Sequence, residues 1–515
     1  MCGILLHCHG CSKIEKDIFQ EIHEANIARG DYMSYLTPPE ELSNLIPYIV
    51  DRGPNYASLK TSKDDNMTWF TSVLSLREPF TKQCIEVEDR FVLQYNGEIY
   101  NSSISHNDTQ YIAEMLLNAK DIPSVIRTLS GEFAYTIYDK LTGEVFFGRD
   151  PIGRRSLSFK LDTGDSKICI SSVSGKIEGF QDCQAGVIYV FQKNTGELKS
   201  NLRINSERFA VSNKVDHDLS QIVEQSCKLY EHISAAVRKR VTTIHPMHTE
   251  NRPISILFSG GLDCSVITSL ICQQILDLGG NIVLELLNVG FENPRTGLSP
   301  SQVPDRILGQ RSASILRALY PQVQIMFVEV DVPYSEFLKY KAHIMNMIYP
   351  KQTEMDLSIA AAFYFASRGE GFVNEPSGTR ISYKRKGLVL FSGLGADELY
   401  GGYHKFSKRA NEELVPELEV QINNIYDRNL NRDDKVISSN GVEIRYPFLD
   451  DQVVAFSTQL PINYKVNKMI LRKVASQNLN LSSISEEPKR AIQFGAKSAK
   501  MTKNGNKQGT DLVVA

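Results

Sequence analysis

The second residue of the chain, Cys2, is the first candidate for chemistry, because a thiol at a chain start can become a nucleophile. Methionine aminopeptidase removes Met1 when a small residue follows, and cysteine qualifies. The freed α-amine has a reference pKa of about 8 and can act as the base for the thiol of the same residue. The plain alternative is a buried small hydrophobe in the apolar run Ile4–Leu6. The residues further along the chain must decide between the two.

Polar turns in the first 160 residues carry side chains suited to this chemistry. The turns are Asp51–Asn55, Tyr95–Tyr100, Asn107–Thr109 and Gly148–Arg155. In the second of them, the Asn96 amide and the Gly97 N–H are two donors that can stabilise an oxyanion. The alternative for an Asn-Gly pair is an ordinary hairpin turn.

Two glycine-containing loops in the second half of the chain are suited to binding phosphate. Ser259–Asp263, with the sequence SGGLD, follows the apolar strand Ile254–Phe258 and precedes a predicted helix. Glycines let the backbone approach a phosphate, and a helix N-terminus offers N–H donors. The loop lacks the Lys-Ser/Thr ending of a Walker A motif, and its plain alternative is an ordinary strand-to-helix turn. A second loop, Ser392–Glu398, follows another apolar strand, Leu388–Phe391.

The predicted secondary structure that must position these residues changes near residue 200. Before that point, short strands rich in aromatic and β-branched residues predict packed antiparallel sheets with a few helices, an α+β sandwich. After residue 220, apolar strands alternate with helical patterns, which predicts an α/β domain with a parallel sheet. The polar stretch 192–220 is predicted to be a linker, 369–387 a loop and 497–515 a disordered tail.

The bulk composition excludes some classes of function. A chain of 515 residues predicts two or three domains. The net charge of −3 gives no electrostatic basis for binding nucleic acid, and no apolar run reaches the ~20 residues that span a bilayer. We therefore predict a cytoplasmic protein without nucleic-acid or membrane partners.

The nine cysteines include no CxxC pair, which predicts reduced thiols. His9 and Cys11 lie near Cys2 and Cys8 and raise the question of a metal site. Their intervals are too tight for a usual structural zinc site, and the sequence offers no second half for one.

As a set, the motifs of the first 200 residues resemble the class II glutamine amidotransferase domain of asparagine synthetases. In chain order they are MCGI, RGPN, NGEIY, NDT, GEFAYTIYD and GRDPIGRRSL. The resemblance implies an N-terminal-nucleophile hydrolase fold over residues 2–205. In that fold Cys2 would attack the side-chain amide of glutamine, while Asn96 and Gly97 hold the oxyanion. The glutamine-binding residues that it implies are Arg52, Glu98 and Asp108.

One departure from the family concerns the α-carboxylate of glutamine. The family usually has an arginine that grips this carboxylate where the present chain has Val73. A neutral side chain cannot make the bidentate pair, and losing such a contact costs about 2–5 kcal/mol. Arg77, at the far end of the same run, is the candidate to replace it, while Asp108 is implied to pair with the α-amino group.

The second half resembles the ATP-pyrophosphatase domain of the same family over residues 220–495. SGGLD is similar to the pyrophosphate loop, and SGLGADELYGGY is similar to the family motif SGEGSDExxGGY. The resemblance implies ATP and Mg²⁺ as cofactors, with Asp263 and Asp397 as the metal ligands. Lys468 would stabilise the charge of the adenylate and pyrophosphate, and Arg432 falls at the substrate-side arginine. The implied ATP-binding residues are Ser259, Gly260, Gly261, Asp263, Val289, Ser392 and Gly393.

Two residues of this half also depart from the family. Cys264 replaces a serine, so a weak thiol donor stands where a hydroxyl is usual. Leu394 replaces a glutamate near the acceptor, so a carboxylate that would take a proton from ammonia is missing there. Glu354 and Asp356 are the alternatives for that role.

Three hypotheses for function therefore stay open at the level of sequence. The first is a glutamine- and ATP-dependent ligase that makes asparagine from aspartate and releases AMP and pyrophosphate. The second is a related ligase with a different carboxylate acceptor, as in the β-lactam synthetase branch. The third is a catalytically impaired, regulatory protein that keeps the fold. The predicted partners are glutamine, ATP and a carboxylate acceptor, with a homodimer as the assembly considered.

Overall fold

The computed structural model describes all residues except 1, 206, 250–251, 376, 407–408, 502–507 and 514–515, and leaves out the side chains of 247, 249 and 411. The chain divides into two compact units. The first contains Met1–Glu207 together with two later segments, Met345–Lys351 and Tyr426–Glu443, and the second contains the rest. The first unit therefore includes two segments from within the range 220–495 that was predicted as one domain.

The first unit is built on two antiparallel sheets. Its strands are β1 Gly3–Cys8, β2 Ile18–His23, β3 Tyr56–Ser62, β4 Met67–Val73, β5 Ile85–Val87, β6 Phe91–Ile99, β7 Gly131–Asp139, β8 Glu144–Arg149, β9 Ser158–Asp162, β10 Lys167–Ser171, β11 Gln181–Asp182, β12 Val187–Gln192 and β13 Glu197–Arg203. One sheet has the order β11-β9-β10-β1-β4-β3-β2 and the other β13-β12-β8-β7-β6-β5. The described pairings in both are antiparallel. The predicted sandwich is confirmed.

The core of this unit lies between the two sheets. Side chains alternate across a strand, so Ile4, Leu6 and Cys8 of β1 face one way, into a cluster with Trp69 of β4 and Phe147 of β8. The intervening residues of β1 face the opposite side of the sheet. Strand β1 is therefore fixed on both edges by β4 and β10 and on one face by the core.

The helices are short in the first unit and longer in the second. In chain order they are α1 Glu24–Arg29, α2 Glu40–Ser43, α3 Ile46–Val50, α4 Asp108–Asn118, α5 Ile122–Thr128, α6 Ile222–Thr242, α7 Pro246–Thr249, α8 Leu262–Asp277, α9 Pro304–Leu319, α10 Tyr334–Ile348, α11 Glu354–Arg368, α12 Ala396–Leu399, α13 Asn411–Asn423, α14 Asn431–Ser438, α15 Asp451–Gln459, α16 Ile462–Lys465, α17 Met469–Lys473, α18 Ser482–Ser485 and α19 Ile492–Gly495. Among the residues described, no helix is long and apolar enough to cross a membrane.

The second unit contains one seven-stranded sheet. Its strands are β14 Ile254–Leu257, β15 Leu284–Phe291, β16 Ile325–Val332, β17 Glu370–Asn374, β18 Arg380–Lys384, β19 Val389–Phe391 and β20 Glu443–Arg445, in the order β18-β17-β16-β15-β14-β19-β20. The central strands β16, β15, β14 and β19 pair in parallel, which confirms the predicted α/β class. Strand β15 neighbours β14 on one side and β19 neighbours it on the other. The order of the strands in the chain therefore reverses direction across the sheet between β14 and β19.

Two predicted irregular segments contain strands, and a third makes backbone hydrogen bonds to the rest of its unit. Strand β13 lies in the predicted linker 192–220, and the antiparallel pair β17–β18 lies in the predicted loop 369–387. Both are edge elements with exposed polar side chains, so the apolar alternation that marks a strand is absent from their sequence. In the predicted tail 497–515, the carbonyls of Gly509 and Asp511 each accept a backbone hydrogen bond at 2.9 Å, from Met355 and Glu354. The rest of that prediction falls partly on residues 502–507 and 514–515, outside the described part of the chain.

A buried ion pair connects the later segment Tyr426–Glu443 to the body of the first unit. Asp434 of α14 accepts hydrogen bonds at 2.9 Å from Nη2 of Arg52 and from the backbone N–H of Ser156. Nη1 of Arg155 lies 3.8 Å from the other carboxylate oxygen of Asp434. The side chains of Asp434, Arg52 and Arg155 have no solvent exposure. Burial acts to raise the pKa of Asp434, but Arg52 and Arg155 outweigh it and hold the pKa below its usual value.

We expect Asp434→Asn to destabilise the protein by about 3–5 kcal/mol, because it leaves the buried guanidinium of Arg52 without its counter-charge, while Arg155 keeps its pair with Glu132 at 3.2 Å. Denaturant unfolding at pH 7 measures this loss. The folded-state pKa is depressed, so the wild-type advantage is present above about pH 4 and is lost as pH falls through the folded pKa.

The matched control is Asp427→Asn in the same segment. Asp427 pairs with Lys351 at 2.8 Å but is 47% exposed, so its loss should cost less than about 1 kcal/mol. Equal effects of the two substitutions would contradict a special role for the buried pair.

Candidate functional sites

Cys2 lies at the start of β1, at the edge of a pocket in the first unit. The next residue, Gly3, packs so closely that a Cβ there would lie 2.5 Å from Cγ2 of Ile49, so only glycine fits. The pocket is lined by Cys2, Val73, Arg77, Gln83, Gly97 and Asp108, among others. Burial raises the pKa of the Cys2 thiol, so the thiol needs a nearby base to react at neutral pH.

The two residues predicted to hold an oxyanion lie beside Cys2. Oδ1 of Asn96 accepts a hydrogen bond from the backbone nitrogen of Cys2 at 2.9 Å. Nδ2 of the same amide is buried and has no hydrogen-bond partner among the described residues. Gly97 has φ of 153°, and a Cβ would lie 2.1 Å from the carbonyl oxygen of Glu132. A buried donor without a partner is costly, and such a donor is typical of a site completed by a ligand.

Asp108 and Arg77 line the same pocket, together with the carboxylates of Glu98 and Glu443. Asp108 begins α4, and its Oδ2 is buried without a hydrogen-bond partner among the described residues. Burial raises the pKa of Asp108, while Arg77 acts in the opposite direction. Arg77 forms an ion pair with Glu98 and donates a hydrogen bond to the carbonyl of Ile99 at 2.7 Å. The pocket therefore presents both signs of charge, which suits a ligand that carries both.

Arg52 was predicted to line the pocket, but the described contacts give it another place. Its Nε donates to the carbonyl oxygen of Cys2 at 3.3 Å, and its Nη2 holds Asp434. Arg52 is not among the pocket-lining residues, whereas Val73 is. The guanidinium of Arg52 thus fixes the backbone of Cys2.

Gln83 and Glu443 line the pocket and were missed in the sequence. Nε2 of Gln83 lies 3.7 Å from Sγ of Cys2, and its Oε1 accepts from the backbone N–H of Tyr95 at 2.8 Å. Gln83 lies between β4 and β5, outside the recognised motifs. Glu443 is buried at the end of the later segment of this unit. Neither carries a local signal, because each reaches the pocket only through the fold.

In the second unit, the SGGLD loop joins β14 to α8. Gly260 has φ of 82°, and a Cβ would lie 2.6 Å from the backbone of Gly309, so the turn requires glycine. Gly261 precedes the 16-residue helix α8, whose first N–H groups are available to an anion. Ser392 and Gly393 follow β19, which neighbours β14. The two loops thus meet where the strand order reverses, the position at which open α/β sheets bind ligands.

Two carboxylates share one buried lysine at this position. Nζ of Lys468 lies 2.5 Å from Oδ2 of Asp263 and 2.6 Å from Oδ1 of Asp397, and Lys489 pairs with the other oxygen of Asp397. Burial disfavours the charged form of Lys468, but the two carboxylates outweigh it and raise the pKa of the ammonium. Asp397 is also buried, yet the same lysines hold its pKa well below the usual range. A Cβ on Gly402 would lie 2.1 Å from Oδ1 of Asp397, so glycine permits this approach.

The donor set of this cluster fits Mg²⁺. Mg²⁺ in nucleotide sites is bound by one or two carboxylates together with phosphate oxygens. Asp263 and Asp397 converge on one cation, and Oδ1 of Asp263 is buried without a partner among the described residues. A metal ion at these oxygens would supply charge neutralisation to a bound polyphosphate.

The remaining predicted residues of this half have the following places. Sγ of Cys264 lies 3.3 Å from the carbonyl oxygen of Gly261. Val289 is buried in β15. The N–H of Leu394 donates to Oγ of Ser392 at 3.2 Å. Asp356 accepts from Oγ1 of Thr353 at 2.6 Å near the start of α11. Arg432 pairs with Asp433 at 2.8 Å in the first unit, which does not test its predicted role.

Comparisons with known proteins match a segment in each half of the chain. The family model for asparagine synthase matches residues 407–508, and the model for a glutamine amidotransferase domain matches residues 75–178. The chain is 56% identical to an asparagine synthetase domain-containing protein of Saccharomyces cerevisiae, over 100% of this chain and 99% of the relative. It is 29% identical to asparagine synthetase domain-containing protein 1 of Gallus gallus, over 88% of this chain and 94% of the relative. It is also 28% identical to a putative glutamine-hydrolysing asparagine synthetase of Methanocaldococcus jannaschii, over 78% of this chain and 70% of the relative.

The class that the fold and sites define is a glutamine amidotransferase-type sandwich combined with an asparagine synthase-type α/β domain. Within that class, the chain belongs to the family of asparagine synthetase domain-containing proteins. The matched ranges of the family models include neither Cys2 nor the SGGLD loop, so the assignments at those residues rest on the geometry described above.

We expect Cys2 to react slowly with iodoacetamide at pH 7 and progressively faster as pH rises. A raised pKa lowers the thiolate fraction at neutral pH, and the rate should grow about tenfold per pH unit below that pKa. Peptide mass spectrometry of partly alkylated protein, with Met1 removed, measures the rate at Cys2. The exposed Cys11 serves as the internal reference for reagent access. Faster labelling at Cys2 than at Cys11 at pH 7 would show a thiolate and contradict the expected direction.

Proposed function

We propose that this protein is a glutamine- and ATP-dependent ligase that forms an amide on a carboxylate acceptor. The single observation that carries the proposal is a pair of buried atoms around Cys2: Nδ2 of Asn96, whose Oδ1 accepts from the Cys2 nitrogen, and Oδ2 of Asp108, which lines the Cys2 pocket. One is a donor and the other an acceptor, and neither has a hydrogen-bond partner among the described residues. Their chemistry matches the developing oxyanion and the α-ammonium of a glutamine substrate.

The hydrolysis of glutamine follows from the contacts around Cys2. Once Met1 is removed, the α-amine takes the thiol proton and Sγ attacks the carboxamide carbon. Asn96 fixes the nitrogen of Cys2 through Oδ1, which leaves Nδ2 to donate to the oxyanion together with the N–H of Gly97. Ammonia leaves as the thioester forms, and water then releases glutamate.

Arg77 is proposed to take the role of the family's arginine, whose position is occupied by Val73 in this chain. Its guanidinium lines the pocket that Val73 and Asp108 also line. The pairing with Glu98 holds Arg77 in place, and the charge of its guanidinium also acts on Asp108. A glutamine α-carboxylate at Arg77 and an α-ammonium at Asp108 would be complementary to the two charges.

The second unit is proposed to activate the acceptor with ATP. The N–H groups at the start of α8 would receive phosphate oxygens, and the ammonium groups of Lys468 and Lys489 would offset the charge of the departing pyrophosphate. Asp263 and Asp397 would hold Mg²⁺ on that pyrophosphate. Attack by ammonia on the activated carboxylate would give the amide and AMP.

The acceptor is proposed to be aspartate, with a different carboxylate as the second candidate. Leu394 favours the second candidate, because an apolar side chain stands next to Gly393 and Ser392 where the family has a carboxylate. Val73 and Leu394 together are the basis of a third candidate, a regulatory protein without catalysis. The intact charge cluster around Lys468 argues against the third, since buried charges are costly to keep without a ligand.

We expect Asn96→Ala to lower the kcat of glutamine hydrolysis by about 10²–10³-fold, because one oxyanion donor is lost. Arg77→Gln should raise KM by about 30-fold or more with a smaller change in kcat, since a charged contact worth about 2 kcal/mol is removed. A glutamate-release assay measures both. The control is Arg90→Gln, which removes a 49% exposed pairing with Asp139. A wild-type rate no higher than that of Cys2→Ala would refute glutaminase activity.

We expect Asp263→Asn and Lys468→Met each to reduce acid-dependent pyrophosphate release by at least about 10²-fold. The measurement uses ATP, Mg²⁺ and a panel of carboxylic acids, with mass spectrometry of the products. Asp277→Asn, an exposed site on the same helix α8, is the matched control. Release with aspartate supports the first acceptor, release only with another acid replaces it, and no release with any acid contradicts the ligase proposal.

A further inference from the structure

Two histidines and a glutamate converge on the side of β1 that faces away from the core. His7 and His9 are two residues apart, so both project from the same face of the strand. Their rings are buried and lie 4.3 Å apart between centroids. Oε1 of Glu41, from α2, lies 3.0 Å from Nε2 of His7 and 3.2 Å from Nδ1 of His9.

We propose that His7, His9 and Glu41 bind a divalent transition-metal ion, with Zn²⁺ as the best fit. The three ligand atoms lie within 4.8 Å of one another. Zn–N and Zn–O bonds of about 2.0–2.1 Å in a tetrahedron place neighbouring ligand atoms about 3.3 Å apart. The two distances to Glu41 are close to that value, so small side-chain adjustments would complete the site.

The hydrogen bonding of the rings favours a ligand role. Nε2 of His9 lies 2.9 Å from Oγ1 of the buried Thr68. If Nε2 carries the proton, Nδ1 presents its lone pair to the site, which is the arrangement that second-shell partners impose on metal-binding histidines. Nδ1 of His7 has no hydrogen-bond partner among the described residues, while its Nε2 lies 3.0 Å from Oε1 of Glu41. A metal ion between Nε2 and this carboxylate oxygen would satisfy both groups.

The alternative is a simple histidine–glutamate ion pair. A single carboxylate oxygen of Glu41 lies 3.0 and 3.2 Å from nitrogens of two different rings, whereas an ion pair needs only one of them. The nearby ammonium of Lys167 pairs with Asp165 at 3.0 Å. Glu41 is half exposed, which leaves an entry path for an ion and room for a water ligand.

A metal here would connect α2 to the strand that begins next to Cys2. Three protein ligands leave a fourth position open, and an ion shared by two elements stabilises the folded state. The cluster is separate from the Cys2 pocket in its residues, so this inference does not depend on the proposed function.

The test is metal analysis of full-length, tag-free protein that has been treated with EDTA, dialysed against Zn²⁺ and then freed of excess ion. We expect about one Zn²⁺ per chain by plasma mass spectrometry, and a melting midpoint several degrees higher with Zn²⁺ than with EDTA. Glu41→Gln should weaken Zn²⁺ affinity at least tenfold, and Thr68→Val about tenfold, as measured by competition with a chromogenic chelator. Glu41 is half exposed, so Glu41→Gln should keep the fold, and circular dichroism checks this.

The matched control is Glu40→Gln, the exposed neighbour of Glu41 on the same helix, which should bind Zn²⁺ like wild type. Co²⁺ substitution distinguishes the ligands, because a cysteine ligand adds a charge-transfer band in the near ultraviolet and this site should add none. Unchanged stoichiometry and affinity in Glu41→Gln, or a thiolate band that disappears in Cys11→Ser, would overturn the proposal.

Discussion

The first unit depends on a carboxylate buried between two guanidinium groups. Asp434 has Arg52 and Ser156 at 2.9 Å and Arg155 nearby, and none of the three charged side chains contacts solvent. Taking such charges out of water is costly, so the arrangement is stable only when all partners are in place. Arg52 also donates to the carbonyl of Cys2, so the ion pair that holds the segment Tyr426–Glu443 also positions the backbone of Cys2.

The two candidate sites handle charge in opposite ways. Around Cys2, Asn96 and Asp108 keep a buried donor and a buried acceptor without partners among the described residues, and a substrate would satisfy both. At the end of β14, the two carboxylates of Asp263 and Asp397 are already paired with the two ammonium groups of Lys468 and Lys489. A bound Mg²⁺ and polyphosphate would therefore enter a site whose charges are balanced beforehand, and Lys468 would exchange carboxylate contacts for phosphate contacts.

Both sites could be located from sequence because their backbone geometry leaves a local signature. Gly97 and Gly260 need positive φ or a close backbone approach, and each stands inside a motif next to a strand. The strands β6 and β14 are apolar, so they were also predicted. Gln83 and Glu443 could not be found in this way, since they meet Cys2 only after distant segments pack. From sequence, His9 was considered only with Cys2, Cys8 and Cys11, because Glu41 of the separate helix α2 reaches His7 and His9 only through the fold.

The edge elements were missed for a different physical reason. Strands β13 and β18 expose most of their side chains, so polar residues are favoured along them and no core requires apolar ones. Alternation of apolar residues marks a strand only when one face is buried. The function assigned to each domain range stays a prediction. The choice between aspartate and another carboxylate acceptor stays a prediction as well, and it rests on Leu394.

The recruitment of Tyr426–Glu443 into the first unit has a consequence for synthesis on the ribosome. Chains emerge from the N-terminus at about 5–20 residues per second, so residues 2–207 are available well before residue 434 exists. During that interval of some tens of seconds, Arg52 and Arg155 lack their common carboxylate. The first unit therefore stays incomplete until most of the chain has been translated. The pair of Arg52 and Asp434 beside Cys2 forms only after residue 434 has been synthesised.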